Sequence, residues 1–159
     1  MGYKDSFLTL SDSQALTATA VGTNVINLQV ERSIGTGEPM AVFFSVKVAA
    51  DQTTGDEDYT FGVEYAAAAD QSTGIEQVVG ERRFQSGTPA SPAQDADLLV
   101  AGFLFSIPIP PVSAGEVEQF LGIRYTLAGT TPTITMDAWV APLNQGDQVT
   151  AYADNVTIG

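Results

Sequence analysis

The chain has no histidine and no cysteine in 159 residues. Without histidine, no side chain of ordinary pKa titrates between about pH 5 and 8, so acid–base catalysis lacks its commonest group. Without cysteine there is no thiolate nucleophile, no disulfide, and no zinc or iron–sulfur site of the usual ligand set. Basic residues are also scarce: 6 Lys and Arg stand against 19 Asp and Glu, a net charge of −13. A phosphate backbone and an anionic membrane surface both repel such a chain, so neither nucleic acid nor membrane is expected as a partner. Long apolar runs are missing. The longest, 98–111, is broken by Gly102, Ser106 and three prolines, short of the ~20 residues a bilayer span needs. The patch 7–10 is too short for the apolar core of a signal peptide, about 7–15 residues. The lack of cysteine fits a reducing cytosol, where the sequon Asn155-Val156-Thr157 goes unused.

What remains is a chain that is 44% hydrophobic and 16% charged, hence globular and of single-domain length. So few charges suit a protein that hides much of its surface in an assembly. Apolar residues recur with period two. Segment 39–49 puts Met40, Val42, Phe44, Val46 and Val48 on one face and Ala41, Phe43, Ser45 and Lys47 on the other, a strand pattern a helix cannot use. Further strands are expected over 24–30, 59–65 and, more weakly, 75–84. Segment 98–107 is apolar on both faces and reads as a central strand, ended by Pro108, Pro110 and Pro111 because proline offers no ladder donor. Segments 119–127 and 133–141 read as a hairpin joined by 128–132, and 148–158 as one more short strand. Seven or eight strands without a long helix or repeat predict an all-β, single-domain, jelly-roll-like antiparallel β-sandwich over 24–159. Residues 1–23 read as an extended N-terminal arm with apolar anchors Phe7, Leu8 and Leu10 and no evident place in a sheet.

Candidate chemistry is thin. Glu116 and Glu118, near Asp137, resemble a glycosidase carboxylate pair in spacing only; a solvated or turn role is the plainer reading. Asp51 and the run Asp56-Glu57-Asp58 supply oxygen ligands for calcium, without the spacing of a twelve-residue calcium loop. Trp139 is the single tryptophan; it suits a sugar-stacking platform, a core position or an interface. Arg82-Arg83-Phe84 is the one basic pair, either ion-paired internally or an interface anchor. No catalytic residue, metal or cofactor is expected.

The stretches 10–17 (LSDSQALT), 23–28 (TNVINL) and 35–40 (GTGEPM), followed later by 105–110 (FSIPIP), 120–127 (FLGIRYTL) and a hairpin into 133–142, resemble the capsid cement, or decoration, proteins of tailed bacteriophages. The loop 87–94 and Asn27, where an acid is expected, depart from that pattern. The resemblance implies a non-enzymatic jelly-roll protein on the outer surface of the virion, made in the host cytoplasm. It would bridge major capsid protein subunits and stabilise the expanded shell, as a homodimer or homotrimer. The residues expected to meet the capsid or another copy are Tyr3, Phe7, Leu8, Leu10, Arg82, Arg83, Phe84 and Trp139. A carbohydrate-binding jelly roll is the alternative, and it requires an exposed aromatic platform.

Overall fold

The computed structural model describes residues 6–29, 38–72, 75–87, 96–110 and 118–143. Among them are nine strands: β1 (Thr9–Leu16), β2 (Ala20–Val21), β3 (Ile26–Asn27), β4 (Met40–Val48), β5 (Asp58–Ala66), β6 (Ile75–Gln85), β7 (Leu104–Ile109), β8 (Phe120–Ala128) and β9 (Ile134–Pro142), with 3₁₀ turns at Ser6–Leu8 and Ala96–Leu98. The antiparallel pairings are nested: β1 with β9, β2 and β3 with β8, β4 with β7, β5 with β6. One long hairpin would give this set. Rolling it up adds β4 to β9 and β5 to β8. The result is one sheet of order β1-β9-β4-β7 and another of order β2-β8-β5-β6 with β3 also on β8. That is the jelly-roll arrangement.

Period-two patterning decides which side chains meet. Val42, Phe44 and Val46 of β4 and Met136, Ala138 and Val140 of β9 face Tyr59, Phe61 and Val63 of β5 and Leu121, Ile123 and Tyr125 of β8, all buried. Aromatic rings knit the layers. Phe44 stacks on Phe105 with centroids 5.1 Å apart, while Phe61 meets Phe84, Phe105 and Tyr125 edge-on at 5.2–5.8 Å. Each such pair adds about 0.5–1.5 kcal/mol beyond its buried area. Burial pushes the Tyr59 phenol up to about 12 and raises that of Tyr125 further, so both stay neutral donors.

Four expectations change. First, 119–127 and 133–141 form no hairpin: β8 and β9 lie in different sheets. Both present one apolar face, and these faces meet across the core instead of lying side by side. The turn between them needs Gly129, whose φ is +98° and whose added Cβ would sit 2.4 Å from the Asp56 carbonyl oxygen. Second, 98–107 is no central strand. The strand is 104–109, at the edge of its sheet. It runs through Pro108, opposite Ala41, because an edge strand needs ladder bonds on one side only.

Third, Thr9–Leu16 of the expected arm is a strand, paired with β9 through two register shifts. Ser13 takes a left-handed φ of 48° at the bulge, and its N–H donates to Asp137 Oδ1 at 2.6 Å. Tyr125 Oη donates to Ser11 Oγ (2.9 Å), Ser11 Oγ to Gln14 Oε1 (2.6 Å), and Gln14 Nε2 to the Val21 carbonyl (2.8 Å). A polar edge strand held by side-chain bonds carries little hydrophobic periodicity, which is why the sequence pattern hides it. Fourth, segment 24–30 pairs only at Ile26–Asn27. The expected strand 148–158 and Tyr3 lie outside the described residues.

Candidate functional site

Of the expected arm anchors, Phe7 is 86% exposed, whereas Leu10 is fully buried and Leu8 packs partly against the core. Leu10 therefore offers no contact surface: it sits on the inner side of β1. Phe84 is withdrawn too, being fully buried opposite Tyr59. Arg82 shares its inward side, two residues away on an edge strand. Its guanidinium spreads over the rings of Phe84 (5.0 Å) and Phe105 (5.5 Å), closing the seam between β6 and β7 by cation–π contact. An inward-facing charge on an edge strand also disfavours pairing with a foreign strand. Arg83 points outward, and its Nε donates to Asp58 Oδ2 at 2.8 Å and Oδ1 at 3.0 Å. Trp139 is half-buried and stacks on Phe43, with centroids 5.9 Å apart and planes 20° apart.

The carboxylates do not converge. Asp137 is buried on the outer side of β9 and pairs with Lys47 Nζ at 3.2 Å. Glu118 precedes β8, in the other sheet, and Glu116 lies outside the described residues. In the acidic turn, Glu57 accepts from the N–H groups of Thr54 and Gly55 (both 2.9 Å) and from Ser86 Oγ (2.6 Å). Burial opposes its charge, but the hydrogen bonds from Ser86 and Thr54 prevail and hold its pKa at about 2. Asp56 is likewise lowered, by Thr54 and Thr130, with Thr130 N–H and Oγ1 donating at 3.0 and 2.9 Å. These oxygens face internal donors from three loops rather than a common point. Among the described residues no group of three or more acidic side chains is placed to hold a metal ion.

Further apolar surfaces remain; the sequence pattern pointed to Phe7 and Trp139 but not to Val48, Val100, Leu98 or Phe43. Val48, Val100 and Leu98 are 59%, 52% and 41% exposed. Backbone bonds from Ala50 N to Leu99 O and from Gly102 N to Val46 O, each 2.9 Å, lay residues 99–102 along the end of β4 and bring these side chains to one end of the sandwich. Phe7 lies at the other end: Thr9 pairs with Trp139, so Phe7 falls toward Ala141 and Met40. A nine-residue strand separates the two ends, roughly 25 Å. The second surface is the outer face of the four-stranded sheet, where Ala41, Phe43 and Ala141 are buried and flanked by Leu104 and Trp139. Its signal was present in β4, which is apolar on both faces over 40–44.

Among the described residues no helix is long and apolar enough to cross a membrane. No curated protein matches the chain. The family model Bbp16 matches residues 10–140, from within β1 to within β9. On that match, extending over most of its length, the chain belongs to the Bbp16 family.

Proposed function

We propose that the protein is a structural virion component that binds the outer surface of a phage icosahedral head, bridging major capsid protein subunits and stabilising the expanded shell, without enzymatic activity. The observation that carries this reading is the pair of exposed apolar points, Phe7 at one end and Val48, Val100 and Leu98 at the other. Exposed apolar side chains gathered in this way mark interaction surfaces. Two of them at opposite ends of a rigid sandwich suit a clamp that touches two subunits at once. The resemblance of 10–17, 23–28, 35–40, 105–110, 120–127 and 133–142 to cement proteins supplies the nature of the partner. A ligand that binds only the expanded lattice stabilises it by mass action. Self-association as a homodimer or homotrimer belongs to the same proposal.

Expanded heads lacking the protein provide the test. Purified protein should cosediment with them and raise their disruption temperature. Val100→Asp and Phe7→Asp should each weaken binding about tenfold or more, since burying one such side chain is worth about 1.5–3 kcal/mol. Absence of binding to expanded heads, or wild-type binding by both variants, refutes the reading. Deleting residues 1–16 is unsuitable as a test because it removes β1, with Leu10 and Leu16 in the core.

A further inference from the structure

The end of the sandwich that carries Val48, Leu98 and Val100 is apolar at its centre and acidic at its border. Its shape is fixed by its own bonds. Leu99 is fully buried and anchors the turn. Phe103 N–H donates to the Val100 carbonyl and Val46 N–H to the Phe103 carbonyl, each at 3.0 Å, and Gly102 turns the chain with a φ of +91°. Ala49 and Ala101 are exposed beside the three larger side chains. Asp97, next to Leu98, is exposed as well. The acidic turn runs along the same border: Gln52 Nε2 donates to the Ala96 carbonyl at 2.8 Å, and Asp51 N–H to the Thr133 carbonyl at 2.9 Å. The Asp51 and Asp56 carboxylates accept only from neutral donors, on Thr53, Thr54 and Thr130.

Of the 6 Lys and Arg residues, Lys4 and Arg32 lie outside the described residues. The others are engaged within the fold: Lys47 with Asp137, Arg83 with Asp58, Arg124 with Glu64, and Arg82 over the Phe84 and Phe105 rings. We propose that this end docks a protein surface of the complementary kind, an apolar patch bordered by Lys and Arg. The proposal rests on the head-binding reading and names the chemistry of the partner at one of its two contact points. Burial of Val48, Leu98 and Val100 supplies the attraction, and a turn already fastened to β4 loses little conformational freedom on binding. The acidic border selects a cationic rim and speeds its approach. A second copy of this chain is a poor occupant. Meeting end to end, two copies would set Asp51, Asp56 and Asp97 against their own counterparts, with a net charge of −13 on each chain, and such like-charge contacts oppose association. Self-association therefore falls to another surface.

Isotope-labelled full-length protein provides a test that needs no capsid. A short amphipathic peptide of Leu and Lys should shift the amide resonances of residues 47–51 and 96–102 saturably, and Val100→Asp should abolish the shifts. A peptide of Leu and Glu with the same length and apolar content should leave them unmoved. Equal shifts with the anionic peptide, or shifts from the cationic one that fall elsewhere, overturn the proposal. So does a concentration dependence of the same resonances in the protein alone, which would put a second copy on the patch. Expanded heads extend the test to the assembly. Raising salt from about 0.1 to 1 M shortens the screening length from roughly 10 to 3 Å and should slow association with heads about tenfold. Asp97→Lys should slow it about fivefold at low salt and by less at high salt. Asp70→Lys, the same change of charge at an exposed position beyond the far end of β5, should leave it near wild type. Salt-independent association, with equal rates for both variants, overturns the basic rim while head binding stands. Failure of the wild-type protein to bind heads refutes the head-binding reading instead, and the peptide titration still decides the chemistry of the patch.

Discussion

On the outer face of the five-stranded sheet, a buried carboxylate is closed in by its own neighbours. Arg124 donates to Glu64 through Nη2 (2.8 Å) and Nε (3.1 Å), and its Nη2 also reaches the Gln71 carbonyl at 2.8 Å. Gln71 Nε2 donates to Glu64 Oε1 at 2.9 Å. Gly122 makes this possible: an added Cβ would stand 2.4 Å from the Gln71 amide carbon. On the outer face of the four-stranded sheet the central side chain is Phe43, with Trp139 and Leu104 beside it. The first face gathers its ion pair from residues 60 apart in the chain and leaves one buried amide oxygen, Gln71 Oε1, without a hydrogen bond. The second is apolar, with Trp139 stacked on Phe43. One sandwich thus has one outer face built around a buried ion pair and another built around packed rings.

Breaking the polar face should cost most. Arg124→Ala leaves Glu64 buried without its cation and is expected to lower stability by about 3 kcal/mol or more in urea unfolding, whereas a Glu64→Leu with Arg124→Leu double variant should lose far less, because no charge is left unpaired. Phe43→Ala on the apolar face should cost about 2 kcal/mol, less than the ~3–5 kcal/mol of a deep-core phenylalanine such as Phe44, since the Phe43 ring stacks on Trp139 of its own sheet whereas Phe44 meets rings of both sheets. The acidic turn gives a smaller, pH-dependent effect. With its folded pKa at about 2 against an ordinary 4.5, ionised Glu57 contributes fully above about pH 4.5, and that contribution disappears as pH falls to about 2. Thermal unfolding across this window should show Glu57→Gln less stable than wild type at neutral pH, with the gap closing in acid. The smallest effect belongs to Arg83→Ala, which removes an exposed pair with Asp58 and should change stability by less than about 1 kcal/mol.

The inner faces were legible because period two is a local signal: the inward sets of β4, β5, β8 and β9 read directly from alternate residues. Sheet membership was not. Leu121, Ile123 and Tyr125 make the same pattern whether Met136 and Ala138 lie beside them or opposite them, and the five residues 129–133 suit a hairpin as well as a crossing. β1 was hidden for a different reason. Its bulge at Ser13 breaks the alternation, and its anchors are hydrogen bonds to Asp137 and Tyr125, more than 110 residues away. The Glu64–Arg124–Gln71 group was out of reach for the same cause: three unremarkable polar residues meet only once β5 and β8 pair. Arg82 and Arg83 looked alike in sequence, yet strand alternation sends one over the aromatic seam and the other to Asp58.

Nested pairing has a consequence for biogenesis. β9, at the far end of the family match, lies between β1 and β4, so the ribosome must deliver nearly the whole chain before that layer can zip. Until then only the inner pairings can close, β5 with β6 first and β4 with β7 and β5 with β8 after it. Such topologies mature slowly, and the waiting chains bare sticky strands to one another. The strongly anionic composition, a net charge of −13, keeps those nascent molecules apart by mutual repulsion.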